Sequence, residues 1–138
     1  VAGHQAGLSS SMIYSMAKAA VIHLTRCVAM ELAESGVRVN SISPGAIATG
    51  IFGKAFGMDD SKADETAEFM KQAFTQMQPI KRAGLPDDIA QMALFLASDD
   101  STFINARDIV VDGGLLGGRL WSVHQEAMGN MKAAFDAI

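Results

Sequence analysis

The stretch Val37-Arg-Val-Asn-Ser-Ile-Ser43, followed at once by Pro44-Gly45, decides the fold of this chain. Its alternating, β-branched residues predict a strand, and the Pro-Gly pair predicts the turn that ends it. Upstream, apolar residues recur at helical spacing over residues 14–35, and Gly36 is a residue type that often ends a helix. A helix that leads directly into a strand is therefore expected.

Downstream of the turn, residues 46–58 have no clear period, whereas residues 61–77 carry an apolar helical stripe. Pro86 with two acids behind it predicts the start of a helix over 86–97. A short buried strand is predicted at 108–112, and a helical tail over 117–138. The order strand, helix, strand predicts two parallel neighbours.

Two parallel strands do not form a stable sheet alone, because parallel sheets are buried on both faces. The remaining strands are therefore expected upstream of Val1. The chain also opens without Met, in a Gly-rich stretch typical of a loop, and residues 1–13 show no periodicity. We expect the sequence to be a fragment of a larger protein.

Composition excludes several classes of function. The net charge is −4 and the eleven Lys and Arg are scattered, so no nucleic-acid partner is expected. No apolar run approaches the ~18 residues of a membrane span, and no membrane partner is predicted. The single cysteine, Cys27, excludes an internal disulfide and is typical of a reducing compartment. The predicted location is the cytoplasm, and no metal site is predicted.

One turn of the first helix carries usable chemistry. Tyr14 and Lys18 are four residues apart, which puts both side chains on one helix face about 6 Å apart along the axis. A nearby ammonium favours the phenolate form of a phenol, and such a phenol can act as a general acid or base at a carbonyl or alcohol oxygen. Alone the pair is a weak signal, because this spacing often arises by chance.

Further motifs accompany the pair, and together they resemble the C-terminal half of a short-chain dehydrogenase/reductase. The similarity covers roughly residues 1–115 and lapses in residues 51–78 and in the tail. The matching segments are Tyr14-x-x-x-Lys18, Arg38-Val-Asn40, Pro44-Gly45-x-x-x-Thr49, Lys81-Arg82-x-Gly84-x-Pro86-x-Asp88-Ile89-Ala90, Phe95-Leu-Ala-Ser-Asp99 and Val111-Asp-Gly-Gly114.

The resemblance implies an α/β fold: the C-terminal part of a doubly wound parallel-sheet Rossmann fold, with its N-terminal strands missing. Residues 1–115 would form the C-terminal half of a dinucleotide-binding domain, with a lid over about 46–80. Residues 116–138 would form a helical extension. The implied cofactor is NAD or NADP, and the implied activity interconverts a secondary alcohol and a ketone.

The resemblance also implies roles for individual residues. Tyr14 would exchange a proton with the substrate oxygen, while Lys18 would bind the nicotinamide ribose and activate Tyr14. Pro44 and Gly45 follow the carboxyl end of the strand, where such sheets bind ligands. The remaining cofactor contacts would be the Thr49 hydroxyl, on the carboxamide or phosphate side, and the Ile47 backbone, at the carboxamide.

Some family features are missing from the sequence. The catalytic Ser of the family would fall at or just before Val1, and Ser9, Ser10 and Ser11 lie too close to Tyr14 to replace it. The Gly-rich phosphate loop is absent. Ala106 stands where relatives usually have Gly, so the turn before the last strand is expected to differ. We expect the chain alone to be inactive.

The lid is rich in Phe and Met, which suggests a pocket for an apolar alcohol or ketone. Phe52, Phe56 and His4 are the candidate pocket residues. The alternative for the lid stripe at 63, 67, 70, 74 and 77 is simple packing on the body, and the alternative for His4 is an incidental position. Relatives assemble through the Tyr-bearing helix and the last helix and strand, so a homodimer or homotetramer is expected.

Two other functions stay open. The chain could be a non-catalytic, oligomerising remnant, which would bind no dinucleotide. It could also come from an epimerase or dehydratase of the extended branch, which shares the Tyr-x-x-x-Lys pair. The Pro44-Gly45 turn and the Val111-Asp-Gly-Gly114 close of the sheet argue against that branch.

Overall fold

Two short parallel strands, β1 (Ser41–Pro44) and β2 (Asp108–Val111), form the centre of the computed structural model, which describes residues 1–9 and 11–138. Ser41 lies opposite Asp108 and Pro44 lies opposite Val111. The predicted parallel pairing is confirmed. Both strands carry most of their residues in buried or half-buried positions, as central strands of a parallel sheet do.

The strand β1 begins at Ser41 and not at residue 37, because side chains satisfy the backbone just before it. The N–H of Val39 donates to Asn105 Oδ1 at 2.8 Å, and the N–H of Arg107 donates to Asn40 Oδ1 at 3.0 Å. These amide side chains take the place of ladder hydrogen bonds, so Asn40 has a structural role at the entrance to the sheet.

The described residues form five α-helices besides the two strands. Three short 3₁₀ turns (Ala33–Ser35, Phe74–Gln76 and Asp99–Ser101) extend or follow them. The segment predicted to be irregular contains a helix of one and a half turns, which its short length and its glycine hid from the periodicity argument. The helices are α1 (Met12–Leu32), α2 (Ile51–Ala55), α3 (Asp60–Ala73), α4 (Pro86–Ala97) and α5 (Trp121–Asp136).

Local signals fix several helix ends as predicted. Gly36 has φ 72° and terminates the turn after α1, a conformation that glycine adopts without steric cost. Pro86 opens α4, where Asp88 accepts the N–H of Leu85 at 2.8 Å. Asp88 also receives two 2.7 Å hydrogen bonds from Arg82. The Arg82 guanidinium and then the Leu85 N–H lower the pKa of Asp88 to about 2.

The turn before β2 keeps a left-handed residue even though it lacks glycine. Ala106 has φ 58°, a conformation that a side chain disfavours. Its N–H donates to the carbonyl of Val39 at 3.0 Å, which ties the turn to the segment entering β1. The expectation that alanine would change this turn therefore finds no support in its backbone conformation.

The small apolar core lies where the lid returns to the strand ends. It comprises Ala46, Ala48, Phe74 and Ala83, with Met70 packed against it. The helix α4 packs on both strands.

Among the described helices, none is long and apolar enough to cross a membrane. The same residues contain no group of three or more His, Cys, Asp or Glu that could hold a metal ion.

Candidate functional site

The predicted Tyr14–Lys18 pair lies at the start of α1. Ser11 caps this helix by accepting the N–H of Tyr14 at 3.2 Å, so Tyr14 falls in the first turn and Lys18 one turn later. The ammonium of Lys18 lies 5.2 Å from the centre of the Tyr14 ring, within range of a cation–π interaction. Tyr14 is 45% exposed.

The serines before Tyr14 have local roles. The Ser9 hydroxyl donates to the Ser11 carbonyl at 2.9 Å, and Ser11 is the helix cap. Ser10 lies outside the described residues. Ser15, next to Tyr14, donates its hydroxyl to the carbonyl of Ala2 and so joins the opening loop to the helix.

The carboxyl ends of the two strands approach each other closely at Gly45. Its N–H donates to the carbonyl of Val111 at 2.9 Å. A Cβ at position 45 would lie 2.5 Å from Cα of Asp112, which no real contact permits. Glycine is therefore required here by the approach of the next strand. Pro44, the last residue of β1, holds the chain extended up to this point.

Ile47 lies just beyond this turn, in an isolated parallel bridge with Gly84. The N–H of Gly84 donates to the carbonyl of Ala46 at 3.0 Å, and the N–H of Ala48 donates to the carbonyl of Gly84 at 2.9 Å. In a parallel bridge the N–H and C=O of the central residue point away from the partner. Within the described part of the chain, no hydrogen bond to either group of Ile47 is found.

One donor and one acceptor that stand together match a primary carboxamide, which has an N–H and a C=O of its own. The Ile47 backbone therefore offers a donor and an acceptor to a ligand that contains such a group. Thr49 lies two residues further on, where its Oγ1 accepts the N–H of Ile51 at 3.4 Å, at the start of α2. Its hydroxyl hydrogen remains free to donate to a ligand.

His4 makes polar contacts with both strands. Its Nε2 lies 2.7 Å from Oδ2 of Asp108 and 3.2 Å from Oγ of Ser43. The carboxylate of Asp108 also accepts the hydroxyls of Ser41 at 2.6 Å and Ser43 at 3.0 Å. Both contacts of His4 use one ring nitrogen, whereas a Ser–His–Asp relay needs two. The cluster is therefore a structural tie and not a catalytic triad.

Asp108 was not recognised in the sequence as part of this cluster. Its side chain is only 4% exposed. Burial raises the pKa of Asp108, but the hydrogen bonds from Ser41, Ser43 and His4 outweigh burial, and the net pKa lies below its ordinary range. The one signal in the sequence is that Asp108, an acid, begins a strand predicted to be buried, where it needs polar partners. Its partners lie more than sixty residues away along the chain.

The two candidate Phe residues differ in their surroundings. Phe52 packs edge-on against Phe74, with ring centres 5.3 Å apart, and is 38% exposed. Phe56 is 84% exposed. The lid stripe contributes to packing, because Ala63 and Phe74 are buried and Ala63 lies against Gly53. That outcome favours the packing interpretation of the stripe.

Two open clefts mark the surface. One, of about 440 Å³, lies between residues 2–9 and α1, and His4, Met12, Ser15 and Met16 are among its lining residues. The other, of about 660 Å³, lies beside α3 and includes Met58 and Phe69. Neither cleft is lined by Tyr14, Phe52 or Phe56.

Comparison with known proteins adds an independent line of evidence. Residues 1–116 match the family model described as enoyl-(acyl carrier protein) reductase. An uncharacterised oxidoreductase of Bacillus subtilis, YxbG, is 42% identical over 103 residues, which cover 75% of this chain and 37% of that protein. The cyclohexanol dehydrogenase of an Acinetobacter species is 36% identical over 107 residues, 78% of this chain and 37% of its own length.

Solved structures show the same relationship. Levodione reductase superposes with a TM-score of 0.68 at 34% identity, over 86% of this chain and 44% of its own. ElxO with NADP bound gives a TM-score of 0.66 at 31% identity, and the match covers 85% of this chain and 44% of ElxO. The chain spans well under half the length of these relatives, 37% of each of the two curated proteins named above.

Proposed function

The chain belongs to the short-chain dehydrogenase/reductase family of oxidoreductases, and from that premise we propose that the protein, as its gene encodes it, interconverts a secondary alcohol and a ketone with NAD or NADP. Tyr14 is the general acid/base and Lys18 its activator. The observation that carries the proposal is the exposed Tyr14 in the first turn of α1, with the Lys18 ammonium 5.2 Å from its ring.

The chain contributes part of a cofactor site at the carboxyl ends of its strands. Gly45 lets the turn after β1 pack directly against Asp112, and the free N–H and C=O of Ile47 face away from Gly84. The Thr49 hydroxyl follows two residues later. The cofactor, when bound, supplies the hydride acceptor or donor. Family structures with NADP, and with NAD in a 3-oxoacyl-[acyl-carrier protein] reductase of Brucella melitensis, support a nicotinamide cofactor in general.

Proton transfer at the substrate oxygen is the step assigned to this chain. In oxidation, the Tyr14 phenolate takes the hydroxyl proton of the alcohol as a hydride leaves the carbinol carbon. In reduction, the Tyr14 hydroxyl returns that proton to the carbonyl oxygen. The Lys18 charge stabilises the phenolate, and its ammonium is placed to donate to a ribose hydroxyl.

The proposed substrate is an apolar alcohol or ketone. Phe56 and the partly exposed Phe52 offer apolar surface on the lid, and the exposed edge of His4 opens on the cleft beside α1. A relative named cyclohexanol dehydrogenase acts on an alcohol of this class.

Exposed Met16 and Met30 on α1 support assembly as a homodimer or homotetramer. The cytoplasmic location remains part of the proposal.

The test is Tyr14→Phe in the protein as its gene encodes it, with NAD(P)H absorbance followed against a panel that starts with cyclohexanol and cyclohexanone. Because the phenol oxygen alone is removed, we expect turnover to fall at least about 100-fold while dinucleotide binding and the circular dichroism spectrum stay unchanged. Lys18→Met should weaken both binding and rate, whereas Lys71→Met, at an exposed pair with Glu68, should change neither.

Other outcomes separate the rival functions. Full turnover by Tyr14→Phe contradicts the assignment of the acid/base. Product formation without net redox change identifies an epimerase or dehydratase. No binding of any nicotinamide dinucleotide by the wild-type protein indicates the non-catalytic remnant.

A further inference from the structure

Residues 48–84, which include most of the predicted lid, form a long excursion whose two ends are joined at one point. The chain leaves the strand ends at residue 48 and returns at residue 84, and the Ile47–Gly84 bridge closes the base of the excursion. Ala46, Ala48 and Ala83, the residues that flank this bridge, are all buried. The same bridge contains the backbone groups that we assign to the nicotinamide carboxamide.

Gly84 is glycine because of space and not because of backbone conformation, since its φ lies outside the left-handed region. A Cβ at position 84 would lie 2.3 Å from Cδ1 of Ile47 and 3.2 Å from the carbonyl oxygen of Ala46. That oxygen accepts the N–H of Gly84 itself. The Ile47 side chain therefore rests directly on the bare Cα of Gly84.

Side-chain hydrogen bonds hold the Gly84 side of the bridge. Arg82 donates to the carbonyl of Ala83 at 3.0 Å and to both carboxylate oxygens of Asp88. Asp88 also accepts the N–H of Leu85. These bonds tie the residues on both sides of Gly84 to the start of α4, so a crowded bridge has to be relieved at Ile47.

We propose that Gly84 is a positioning residue for the nicotinamide end of the cofactor: its missing side chain seats Ile47 so that the Ile47 N–H and C=O face the carboxamide. This inference rests on the proposed function. It assigns no contact with the cofactor to Gly84 itself. A methyl group at position 84 displaces the Ile47 side chain and presses on the Ala46 carbonyl, which turns the Ile47 backbone away from the ligand.

The experiment compares two ligands on Gly84→Ala in the protein as its gene encodes it. NADH and NADPH contain the nicotinamide ring with its carboxamide, whereas ADP-ribose and its 2′-phosphate lack that ring and share only the ADP-ribose part. Calorimetry should show about tenfold weaker binding of the dinucleotide, as expected for the loss of one hydrogen bond, with ADP-ribose binding unchanged. Gly129→Ala is the matched control, because no atom lies within 4 Å of a Cβ at that position.

A second substitution distinguishes positioning from general damage. Ile47→Ala removes the side-chain atoms that a methyl group at position 84 would meet, so Gly84→Ala with Ile47→Ala should regain most of the lost dinucleotide affinity. The double variant also keeps the proposal testable if Gly84→Ala alone folds poorly. If the double variant binds NADH no better than Gly84→Ala does, the inference is overturned. The same holds if Gly84→Ala is unfolded and the double variant also fails to bind NADH.

The remaining outcomes are distinct. If the wild-type protein binds the dinucleotide and Gly84→Ala binds it equally well, the inference is wrong and the proposed function stands. Equal weakening of NADH and ADP-ribose likewise overturns the inference alone. If the wild-type protein binds no nicotinamide dinucleotide, both the proposed function and the positioning role are overturned.

Discussion

The crossover from β1 through α4 to β2 and the C-terminal helix α5 are stabilised in opposite ways. Three carbonyls of the crossover accept hydrogen bonds from Arg38, which lies just before β1: those of Leu96 at 2.8 Å, Ile104 at 3.2 Å and Ser98 at 3.3 Å. The helix α5 has no buried residue and no side-chain cap at its first turn. Its one ion pair, within the helix, is exposed.

The difference is between a helix that has only local interactions and a crossover that has long-range hydrogen bonds. A helix of 16 residues is marginal in water without tertiary packing, so α5 depends on its own residues. The crossover depends on a few polar side chains that reach across more than fifty residues. We therefore expect single substitutions at these long-range contacts to destabilise the body, meaning β1, α4 and β2 together. Substitutions in α5 should act only within α5.

The largest effect is expected at Arg38. Arg38→Ala removes three half-buried hydrogen bonds, while Ser101 still donates to the carbonyls of Leu96 and Ser98 and Asn40 still donates to that of Ile104. The free energy of unfolding should therefore fall by about 2–3 kcal/mol. Urea unfolding followed by circular dichroism measures this loss. Arg119→Ala, at an exposed arginine, should stay within about 0.5 kcal/mol of the wild type. If the two variants have equal urea midpoints, the Arg38 hydrogen bonds stabilise the chain no more than an exposed arginine does, and the prediction is wrong.

Asp108 should give a smaller effect that depends on pH. Asp108→Asn weakens the bonds from His4, Ser41 and Ser43, and we expect a loss of about 1–2 kcal/mol at neutral pH. Since the net pKa of Asp108 lies below its ordinary value of 3.8 in the folded chain, its stabilisation is complete above that value and is lost as the pH falls through the folded-state pKa. The gap between wild type and variant should therefore close in acid.

Urea titrations at several pH values between neutral and about 2 measure that gap. Asp100→Asn, at an exposed acid, is the matched control and should show no such convergence. A gap for Asp108→Asn that stays constant down to the lowest pH would mean that the carboxylate charge does not stabilise the cluster.

These contrasts also explain what the sequence could predict. Gly36 and Pro86 act within one turn, so helix ends followed from local rules. The Tyr14–Lys18 pair was likewise found from its spacing. The Asp108 cluster and the Ile47–Gly84 bridge join residues 37 or more positions apart, and no local pattern states which residue meets which. His4 illustrates the limit: the sequence makes it a candidate pocket residue, but only the paired strands show that it contacts Asp108 on β2.

The smallest effect on the whole molecule is expected from Gly129→Ala in the middle of α5. A glycine inside a helix costs up to about 1 kcal/mol relative to alanine, and the new methyl group would meet nothing within 4 Å. The substitution should slow amide exchange in α5 but leave the urea midpoint of the body unchanged. Gly53→Ala is the contrasting control, because its Cβ would lie 2.7 Å from Cα of Ala63 and should separate α2 from α3. If Gly129→Ala instead raises the midpoint of the body, then α5 unfolds together with the crossover, and the independence of the two regions is refuted.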